Sequence, residues 1–271
     1  MKFAVVGHPV AHSKSPVMHT AAYRELGLPH SYEAIDVLET HFPDFMKSLK
    51  QGNFAGINVT VPHKLRAYEL ADERAPSAIA VGAANTLVFD SSGKITAHNT
   101  DALALRSELE ALSPNRDWSR ARALVIGAGG AARAALVALH DLGAQKMSVV
   151  ARRVEQAEAM DAIAAIEVVS FSEGPFRDLD VVVQATSSGM HGADDGEMVA
   201  SCIDWKHVPT DAIAYDVVYS PRETPFLRAA RNAGISAENG LGMLARQGAI
   251  AFELWLGITA PLAVMRRAID E

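Results

Sequence analysis

Cysteine is nearly absent from this sequence, since Cys202 is the only one among 271 residues. A lone cysteine cannot form an internal disulfide, which excludes the class of small disulfide-rich secreted proteins and fits a reducing compartment. No pattern around Cys202 supports a nucleophilic role, so we expect this thiol to be structural.

Long apolar runs and clusters of basic residues are also missing. The longest apolar stretch, near the C-terminus, is interrupted by Arg246 and Glu253, and the N-terminal run MKFAVVG is too short for a signal peptide. The formal net charge is −7, without a Lys/Arg cluster that could bind nucleic acid or an anionic membrane. We therefore expect a cytoplasmic protein with neither a nucleic-acid nor a membrane partner.

The pattern of a metal site is absent as well. His8, His12 and His19 lie close together in the sequence, but they lack HExxH spacing and supporting carboxylates. We expect no metal.

Length and composition favour two globular α/β domains. The 271 residues are 49% hydrophobic and 21% charged, as in ordinary globular proteins. In the first half, predicted strands 3–6, 32–37 and 57–61 alternate with predicted helices 17–26 and 42–49. Only the second half carries a nucleotide-binding pattern, so we expect a substrate lobe and a cofactor lobe.

The nucleotide-binding pattern spans residues 122–153. A short apolar strand, 123–126, runs into a glycine-rich turn, and a helix, 131–142, ends at Gly143 before a second strand, 147–150. The G-x-G-x-x-A spacing of Gly127, Gly129 and Ala132 allows a tight turn and close approach of a pyrophosphate to the helix N-terminus. The predicted cofactor contacts in this turn are Gly127, Ala128, Gly129, Gly130 and Ala131.

The residues after the second strand indicate which nucleotide binds. An NAD site has Asp or Glu here to bind the ribose 2′-hydroxyl, whereas this chain has Ala151, Arg152 and Arg153. Guanidinium groups can bind a 2′-phosphate through charge-assisted hydrogen bonds, which favours NADP. Alternatively, the two arginines begin a solvated helix and pair with Glu155 and Glu158.

Two serines lie in the loop GHPVAHSKSP after the first predicted strand. Ser15, which precedes Pro16, is a candidate helix N-cap, whereas Ser13 has no such structural duty. Open α/β sheets bind ligands in loops at this end of a strand, so the two hydroxyls can hold a polyhydroxylated substrate.

Lys64 follows the predicted strand in GINVTVPHK and falls in the first turn of a helix. The helix macrodipole disfavours a cation there, so Lys64 is either a solvated surface residue or has a carboxylate nearby. Asn99, Thr100 and Asp101 precede another helix, which needs only one N-cap. Asp101 is the best candidate partner of Lys64, with Asn85 as a neutral hydrogen-bonding group.

Gln247 lies within an apolar stripe of the predicted helix 243–257, together with Leu244, Ala251 and Leu254. A buried amide needs hydrogen-bond partners. Gln247 is therefore either a satisfied core residue or a substrate contact.

Eight blocks of sequence show that the chain resembles the shikimate dehydrogenase family over essentially its whole length. They are HSKSP (12–16), GINVTVPHK (56–64), GAANT (82–86), NTD (99–101), GAGGAAR (127–133), ATSSGM (185–190), YDVVYSPRETP (215–225) and GLGMLARQGA (240–249). The resemblance implies NADPH-dependent, reversible reduction of 3-dehydroshikimate to shikimate in aromatic amino acid biosynthesis. It also implies an N-terminal substrate-binding lobe, 1–103 with the returning C-terminal helices 238–271, and a Rossmann-type NADP-binding lobe, 104–237.

The same resemblance implies the roles of individual residues. Lys64 and Asp101 are expected to form the catalytic pair. The implied substrate contacts are Ser13, Ser15, Thr60, Asn85, Tyr219 and Gln247. The cofactor contacts expected outside the glycine-rich turn are Arg152, Arg153, Thr186, Val217, Gly240 and Met243. The protein is expected to be a monomer or a homodimer.

Four positions depart from the family's commoner pattern, namely Thr20, Ala151, Arg153 and Gln184. Ala151 and Arg153 change the 2′-phosphate site, because a methyl group and a second cation replace an amide and a hydroxyl. Two alternatives stay open. One is a quinate/shikimate dehydrogenase with relaxed substrate and cofactor use, and the other is a non-catalytic NADP-binding sensor, which should have lost Lys64 or Asp101.

Overall fold

A computed structural model of the protein describes residues 1–52 and 54–270. The chain divides into two compact units, one made of Met1–Ala104 with Leu244–Glu271 and the other of Leu105–Met243. Each unit contains a six-stranded sheet with helices, as expected for the α/β class.

The first unit is built on a mixed sheet with the strand order β2-β1-β3-β5-β6-β4. Its strands are β1 (Lys2–Gly7), β2 (Ser31–Asp36), β3 (Gly56–Val59), β4 (Glu73–Arg74), β5 (Thr86–Phe89) and β6 (Ile95–His98). β1 pairs in parallel with β2 and β3, whereas β5 is antiparallel to β3 and β6. The carboxyl ends of β1, β3 and β6 and the amino end of β5 therefore share one edge of the sheet, which we call the polar edge.

Four helices cover this sheet from the N-terminal part of the chain: α1 (Ser15–Glu25), α2 (Phe42–Leu49), α3 (Lys64–Leu70) and α4 (Pro76–Val81). α2 has the bounds predicted from the sequence. Phe42, Met46 and Leu49 recur at helical spacing and bury one face of α2 in a core with Ile57 and Leu87. Each such side chain contributes about 1.5–3 kcal/mol when it is fully buried.

The second unit has an all-parallel sheet with the strand order β12-β11-β10-β7-β8-β9. Its strands are β7 (Arg122–Ile126), β8 (Lys146–Val150), β9 (Glu167–Val169), β10 (Val181–Gln184), β11 (Ile213–Asp216) and β12 (Ser236–Glu238). Counted from β7, this order is the 3-2-1-4-5-6 arrangement of the Rossmann fold. Its helices are α6 (Gly130–Asp141), α7 (Val154–Glu158), α8 (Glu197–Ser201) and α9 (Pro225–Asn232). The predicted strand, turn, helix and strand of residues 122–153 are confirmed.

The unit boundaries fall inside two helices, α5 (Asp101–Leu112) and α10 (Leu241–Leu256), and α11 (Leu262–Asp270) follows. In the first unit, Trp255 of α10 donates its indole N–H to the Leu87 carbonyl at 3.0 Å. Its ring packs 5.0 Å from that of Phe3. The predicted apolar stripe is wrong at Leu254, which is 39% exposed.

The structure places His19, one of the three early histidines, inside the first unit. His19 is fully buried and its ring stacks on Tyr32 at 4.3 Å, so burial lowers the pKa of His19 to about 3. Within residues 1–52 and 54–270, we find no group of three or more His, Cys, Asp or Glu side chains that could hold a metal. No helix in those ranges combines the length and the apolar character needed to span a membrane.

Candidate active site

A buried ion pair between Lys64 and Asp101 lies at the polar edge of the first unit. Lys64 is the first residue of α3, just after β3, and Asp101 is the first residue of α5, just after β6. Lys64 Nζ donates to Asp101 Oδ2 at 2.6 Å, and the two side chains are only 14% and 5% exposed. The interpretation of Lys64 as a solvated surface residue is therefore wrong.

The start of α3 is held by its neighbours, which positions Lys64. The His63 amide donates to the Thr60 carbonyl at 2.9 Å, and the Ala84 amide donates to the Lys64 carbonyl at 2.9 Å. The His63 ring donates to the Val37 carbonyl at 2.7 Å. Burial is the main reason that the pKa of His63 is lowered, so this histidine stays neutral near pH 7.

Asn85 joins the ion pair to two further segments. Its amide nitrogen donates to Asp101 Oδ1 at 2.8 Å, to Thr100 Oγ1 at 2.9 Å and, more weakly, to Gln247 Oε1 at 3.3 Å. Gln247 in turn donates to the Leu244 carbonyl at 2.9 Å. The structure thus brings together four of the predicted site residues, from the starts of α3 and α5, the residue before β5, and α10.

The side chain that caps the start of α5 is that of Asn99. The Asn99 side-chain oxygen accepts the amide N–H groups of Asp101 at 3.0 Å and Ala102 at 3.2 Å. This leaves the Asp101 carboxylate to bind Lys64 and Asn85, in a position that the helix macrodipole favours for a negative charge.

The serine loop after β1 differs from its prediction. Lys14 occupies the N-cap position of α1 without a side-chain cap, so the assignment of Ser15 as N-cap is wrong. Instead the Ser15 amide donates to Ser13 Oγ at 3.3 Å, which gives Ser13 the structural duty that it was expected to lack. Lys14 donates to the Ile269 carbonyl at 2.6 Å and ties this loop to α11.

Thr60 lies beside this loop at the polar edge. Its amide donates to the Val6 carbonyl at 2.8 Å, directly between β1 and β3. The hydroxyl groups of Thr60 and Ser15 have no hydrogen-bond partner in the part of the chain that the structure describes, so both are available to a ligand.

Sequence reasoning missed a second layer of polar residues beneath this site. The Tyr32 hydroxyl donates to Asn58 Oδ1 at 2.6 Å, and Asn58 Nδ2 donates to Thr86 Oγ1 at 3.1 Å and to the Asn85 carbonyl at 3.2 Å. Asn58 lies on the polar side of its strand, and that alternation was the available signal. The layer holds Asn85 in place through a continuous chain of hydrogen bonds.

The glycine-rich turn of the second unit has the backbone shape of a phosphate-binding turn. Gly127 has φ of +121°, which L side chains rarely adopt, and an added Cβ would lie 3.0 Å from the Ala185 carbonyl oxygen. Gly129 is exposed at the N-cap of α6, and a Cβ there would meet nothing within 4 Å. The twelve-residue α6 has no side-chain cap, so its first turn begins at an open face with N–H groups that lack an intrahelical partner.

Arg152 and Arg153 follow β8 at the same edge of the second sheet, and both are exposed. Neither guanidinium forms a hydrogen bond or an ion pair with any residue of the described ranges. The alternative pairing with Glu155 and Glu158 is therefore not observed, and two cations are free to bind an anion.

The remaining predicted cofactor residues cluster at the carboxyl ends of β10 and β11. Thr186 follows β10, and the Val217 amide donates to the Gln184 carbonyl at 2.9 Å. Gly240 lies so close to Val217 that a Cβ would overlap the Val217 carbonyl. The Met243 amide donates to the Tyr215 hydroxyl at 3.2 Å, and Tyr219 lies partly buried in the loop after β11.

Asp216, the last residue of β11, was not singled out from the sequence. It is fully buried, accepts the Thr224 hydroxyl at 2.6 Å and the Val218 amide at 2.9 Å, and so closes the loop 217–224. Burial raises the pKa of Asp216 to about 7 against the opposing effect of these two hydrogen bonds.

Cys202 is also buried, and its Sγ donates to the Val199 carbonyl at 3.1 Å. Burial raises the pKa of this thiol to about 12. It packs in the second unit's core as a small apolar side chain, in agreement with the structural role expected for it.

Three family models match successive parts of the chain. One described as the shikimate dehydrogenase substrate binding domain matches residues 5–87. One described as shikimate / quinate 5-dehydrogenase matches residues 109–217, and the shikimate 5′-dehydrogenase C-terminal domain matches residues 240–269.

Individual proteins match over nearly the whole chain. Shikimate dehydrogenase (NADP(+)) of Methylobacterium radiotolerans is 41% identical to this chain, and the matched region covers 93% of this chain and 90% of that protein. The structure of the Thermus thermophilus shikimate 5-dehydrogenase in complex with NADP(H) and shikimate is 36% identical, with a TM-score of 0.85 and coverage of 100% and 98%. That of the Aquifex aeolicus shikimate dehydrogenase is 32% identical, with a TM-score of 0.88 and the same coverage.

Proposed function

The chain belongs to the shikimate dehydrogenase family, and we propose that it catalyses the reversible, NADPH-dependent reduction of 3-dehydroshikimate to shikimate in aromatic amino acid biosynthesis. The observation that carries this proposal is the buried Lys64–Asp101 ion pair, with Asn85 and Gln247 bonded around it. A sensor without catalysis would have no need of this pair.

We propose that Lys64 and Asp101 are the catalytic residues. Reduction of a ketone places negative charge on its oxygen, and an ammonium beside that oxygen stabilises the charge or donates a proton. Asp101 holds the Lys64 ammonium in one place at the polar edge and offers an acceptor for a substrate hydroxyl.

The substrate contacts proposed in the first unit are Ser13, Ser15, Thr60, Asn85 and Gln247. The support for Ser15 and Thr60 is their hydroxyl groups, which lack a described partner. That for Asn85 and Gln247 is their place in the hydrogen-bonded cluster around Asp101. Tyr219 in the second unit stays a prediction from the family resemblance.

The second unit fits NADP. When bound, the cofactor supplies the hydride. We propose that Gly127, Ala128, Gly129, Gly130 and Ala131 receive its pyrophosphate at the open N-terminus of α6, because free N–H groups there bind anions. Arg152 and Arg153, which lack an acidic partner in the described ranges, would take the 2′-phosphate. Contacts from Thr186, Val217, Gly240 and Met243 are proposed at the ends of β10 and β11.

The decisive experiment is a comparison of initial rates with shikimate and with quinate, each with NADP and with NAD. We expect shikimate with NADP to be the best pair by a wide margin. Lys64→Met, which keeps the side-chain volume, should lower kcat by about a hundredfold or more, as expected for loss of an acid or electrostatic catalyst. Lys47→Met is the matched control, since the Lys47 side chain is 78% exposed.

Other outcomes would redirect the proposal. Comparable rates with quinate or NAD would assign the protein to the relaxed quinate/shikimate class. A folded protein that binds NADP but turns over none of these substrates would be the non-catalytic sensor. An unchanged kcat in Lys64→Met would remove Lys64 from the chemistry.

Two coarser properties complete the proposal. We propose that the enzyme works in the cytoplasm, which its single buried cysteine would suit. We also propose that it is a monomer or a homodimer, which light scattering of the purified protein would decide.

A further inference from the structure

Gln184 is the last residue of β10, and its side chain is completely buried. Within the described residues, all hydrogen bonds of this side chain are with the loop that follows the strand. Its Oε1 accepts the Thr186 amide at 2.6 Å and the Thr186 hydroxyl at 2.8 Å. Its Nε2 donates to the Ser188 carbonyl at 3.1 Å and to the Thr186 carbonyl at 3.3 Å. A primary amide offers two donors and two acceptor sites, so the whole capacity of Gln184 is used by the loop that follows it.

This loop, residues 185–189, contains no helix or strand of its own. Besides the four bonds to Gln184, the Ser188 amide donates to Thr186 Oγ1 at 3.1 Å. Backbone hydrogen bonds from the Ala185 amide to the Ile126 carbonyl and from the Gly189 amide to the Asp194 carbonyl tie the ends of the loop, whereas Gln184 holds its middle. Removing the Gln184 side-chain amide would leave several buried or half-buried polar groups to find other partners.

The loop also contacts the glycine-rich turn within the second unit. A Cβ on Gly127 would lie 3.0 Å from both the Ala185 carbonyl oxygen and Thr186 Cγ2. On the neighbouring strand β11, Asp216 is the register partner of Gln184, and the backbone carbonyl of Gln184 accepts the Val217 amide. Gln184 thus lies directly behind the carboxyl edge where a Rossmann sheet binds its dinucleotide.

We propose that Gln184 is a positioning residue for the cofactor, which sets the placement of Thr186 without touching the cofactor itself. The inference rests on the proposed NADP-dependent function. Because Gln184 acts on the loop of the second unit alone, its loss should weaken NADP use and slow turnover while leaving recognition of shikimate unchanged.

The test is Gln184→Met, which keeps the length of the side chain and removes all four hydrogen bonds. We expect kcat/KM for NADP to fall by about tenfold to a hundredfold, since small displacements at a reacting centre cost this much. KM for shikimate should stay within about twofold, because the proposed substrate groups other than Tyr219 belong to the first unit. Gln145→Met, at an exposed position of the same unit, is the matched control and should change neither value.

A purely structural role predicts a different pattern. It would lower the melting temperature and the amount of active enzyme, with both KM values unchanged, and that result would overturn the proposal. An equal rise in KM for shikimate and NADP would also overturn it. Should Gln184→Met not accumulate as folded protein, Gln184→Asn retains the amide on a side chain one methylene shorter, and we expect it to show the same selective rise in KM for NADP.

A double-mutant cycle with Thr186→Val tests the route of the effect. If Gln184 acts through Thr186, the loss in Gln184→Met/Thr186→Val should be clearly smaller than the product of the two single losses. Independent effects would multiply and would contradict the proposal. Direct NADP titration by calorimetry separates this inference from the proposed function, because weaker binding by Gln184→Met can be measured even if the wild type turns over no shikimate.

Discussion

The two members of the Lys64–Asp101 ion pair should differ in what their removal costs. Asp101 has three sources of stabilisation: the Lys64 ammonium, the Asn85 amide at 2.8 Å and the N-terminus of α5. In the described chain, Lys64 Nζ has one hydrogen-bond partner, Asp101, and it lies at the N-terminus of α3, where the macrodipole is unfavourable for a cation. The ammonium therefore depends on the carboxylate more than the reverse.

The size of this difference follows from the remaining interactions. Breaking a buried ion pair by removing one partner costs about 3–5 kcal/mol, because the other charge is left uncompensated. After Lys64→Met, the Asp101 carboxylate keeps a charged hydrogen bond worth about 1.5–3 kcal/mol and a favourable helix terminus worth about 0.3–1 kcal/mol. After Asp101→Leu, which replaces the carboxylate with an apolar side chain that has no acceptor, the buried ammonium keeps neither. We expect Asp101→Leu to be the more destabilising variant by about 2 kcal/mol.

The assay is urea unfolding at neutral pH with the fluorescence of Trp255, the tryptophan of the first unit, as the signal. Replacing Trp118 and Trp205 with phenylalanine in the parent protein removes the signals of the second unit. The double variant Lys64→Met/Asp101→Leu should be less destabilised than the sum of the single variants, since it leaves no buried charge.

Two results would refute this reasoning. Equal losses, or a larger loss for Lys64→Met, would show that Asn85 and the start of α5 do not sustain the carboxylate by themselves. Additive losses in the double variant would show that the pair is not coupled in the folded protein. Asp44→Asn, which removes an exposed ion pair with Lys47, is the control and should leave the unfolding midpoint unchanged.

Three further predictions follow from burial. The folded-state pKa of Asp216, about 7, lies above the ordinary value, so the contribution of this carboxyl group to stability is fully present below about pH 4 and is lost as the pH rises through 7. Asp216→Asn should therefore gain stability relative to the wild type across that pH range in thermal unfolding, and a stability difference that does not change with pH would contradict this. The thiol of Cys202 should not react with Ellman's reagent in the native protein at about pH 8 but should react fully in urea, and fast native labelling would refute its burial. Gly56→Ala should cost about 1–3 kcal/mol because the new Cβ overlaps the Trp255 indole; the change in unfolding midpoint measures this, and an unchanged midpoint would show that the indole moves without cost.

Local sequence patterns were sufficient to predict elements whose structure depends on residues close together in the sequence. The turn at Gly127–Gly129 and the helix after it follow from glycine at positions of close approach and from small residues behind them. The hairpin of β5 and β6 follows from two short apolar runs around the polar turn at residues 90–93. In each case the partners lie within about thirty residues.

Side-chain hydrogen bonding that depends on the three-dimensional course of the chain was not predictable in the same way. Ser15 had the right residue type for an N-cap, but the geometry of the preceding loop left its amide, rather than its hydroxyl, to bond with Ser13. The burial of Asp216 depends on Thr224 and on the sheet around it, which no local pattern reveals. The Tyr32–Asn58–Thr86 layer depends on the order of strands in the first sheet, and that order brings together residues far apart in sequence.

The composition of the first unit from two separated segments has a consequence for synthesis on the ribosome. Residues 244–271 belong to this unit, and they supply Trp255 against Leu87 and the Ile269 carbonyl that holds Lys14. They leave the ribosome only after the whole second unit has been translated. The Rossmann unit can therefore fold before the C-terminal helices of the first unit have been synthesised. The first unit, although its N-terminal segment is translated first, completes its folding last.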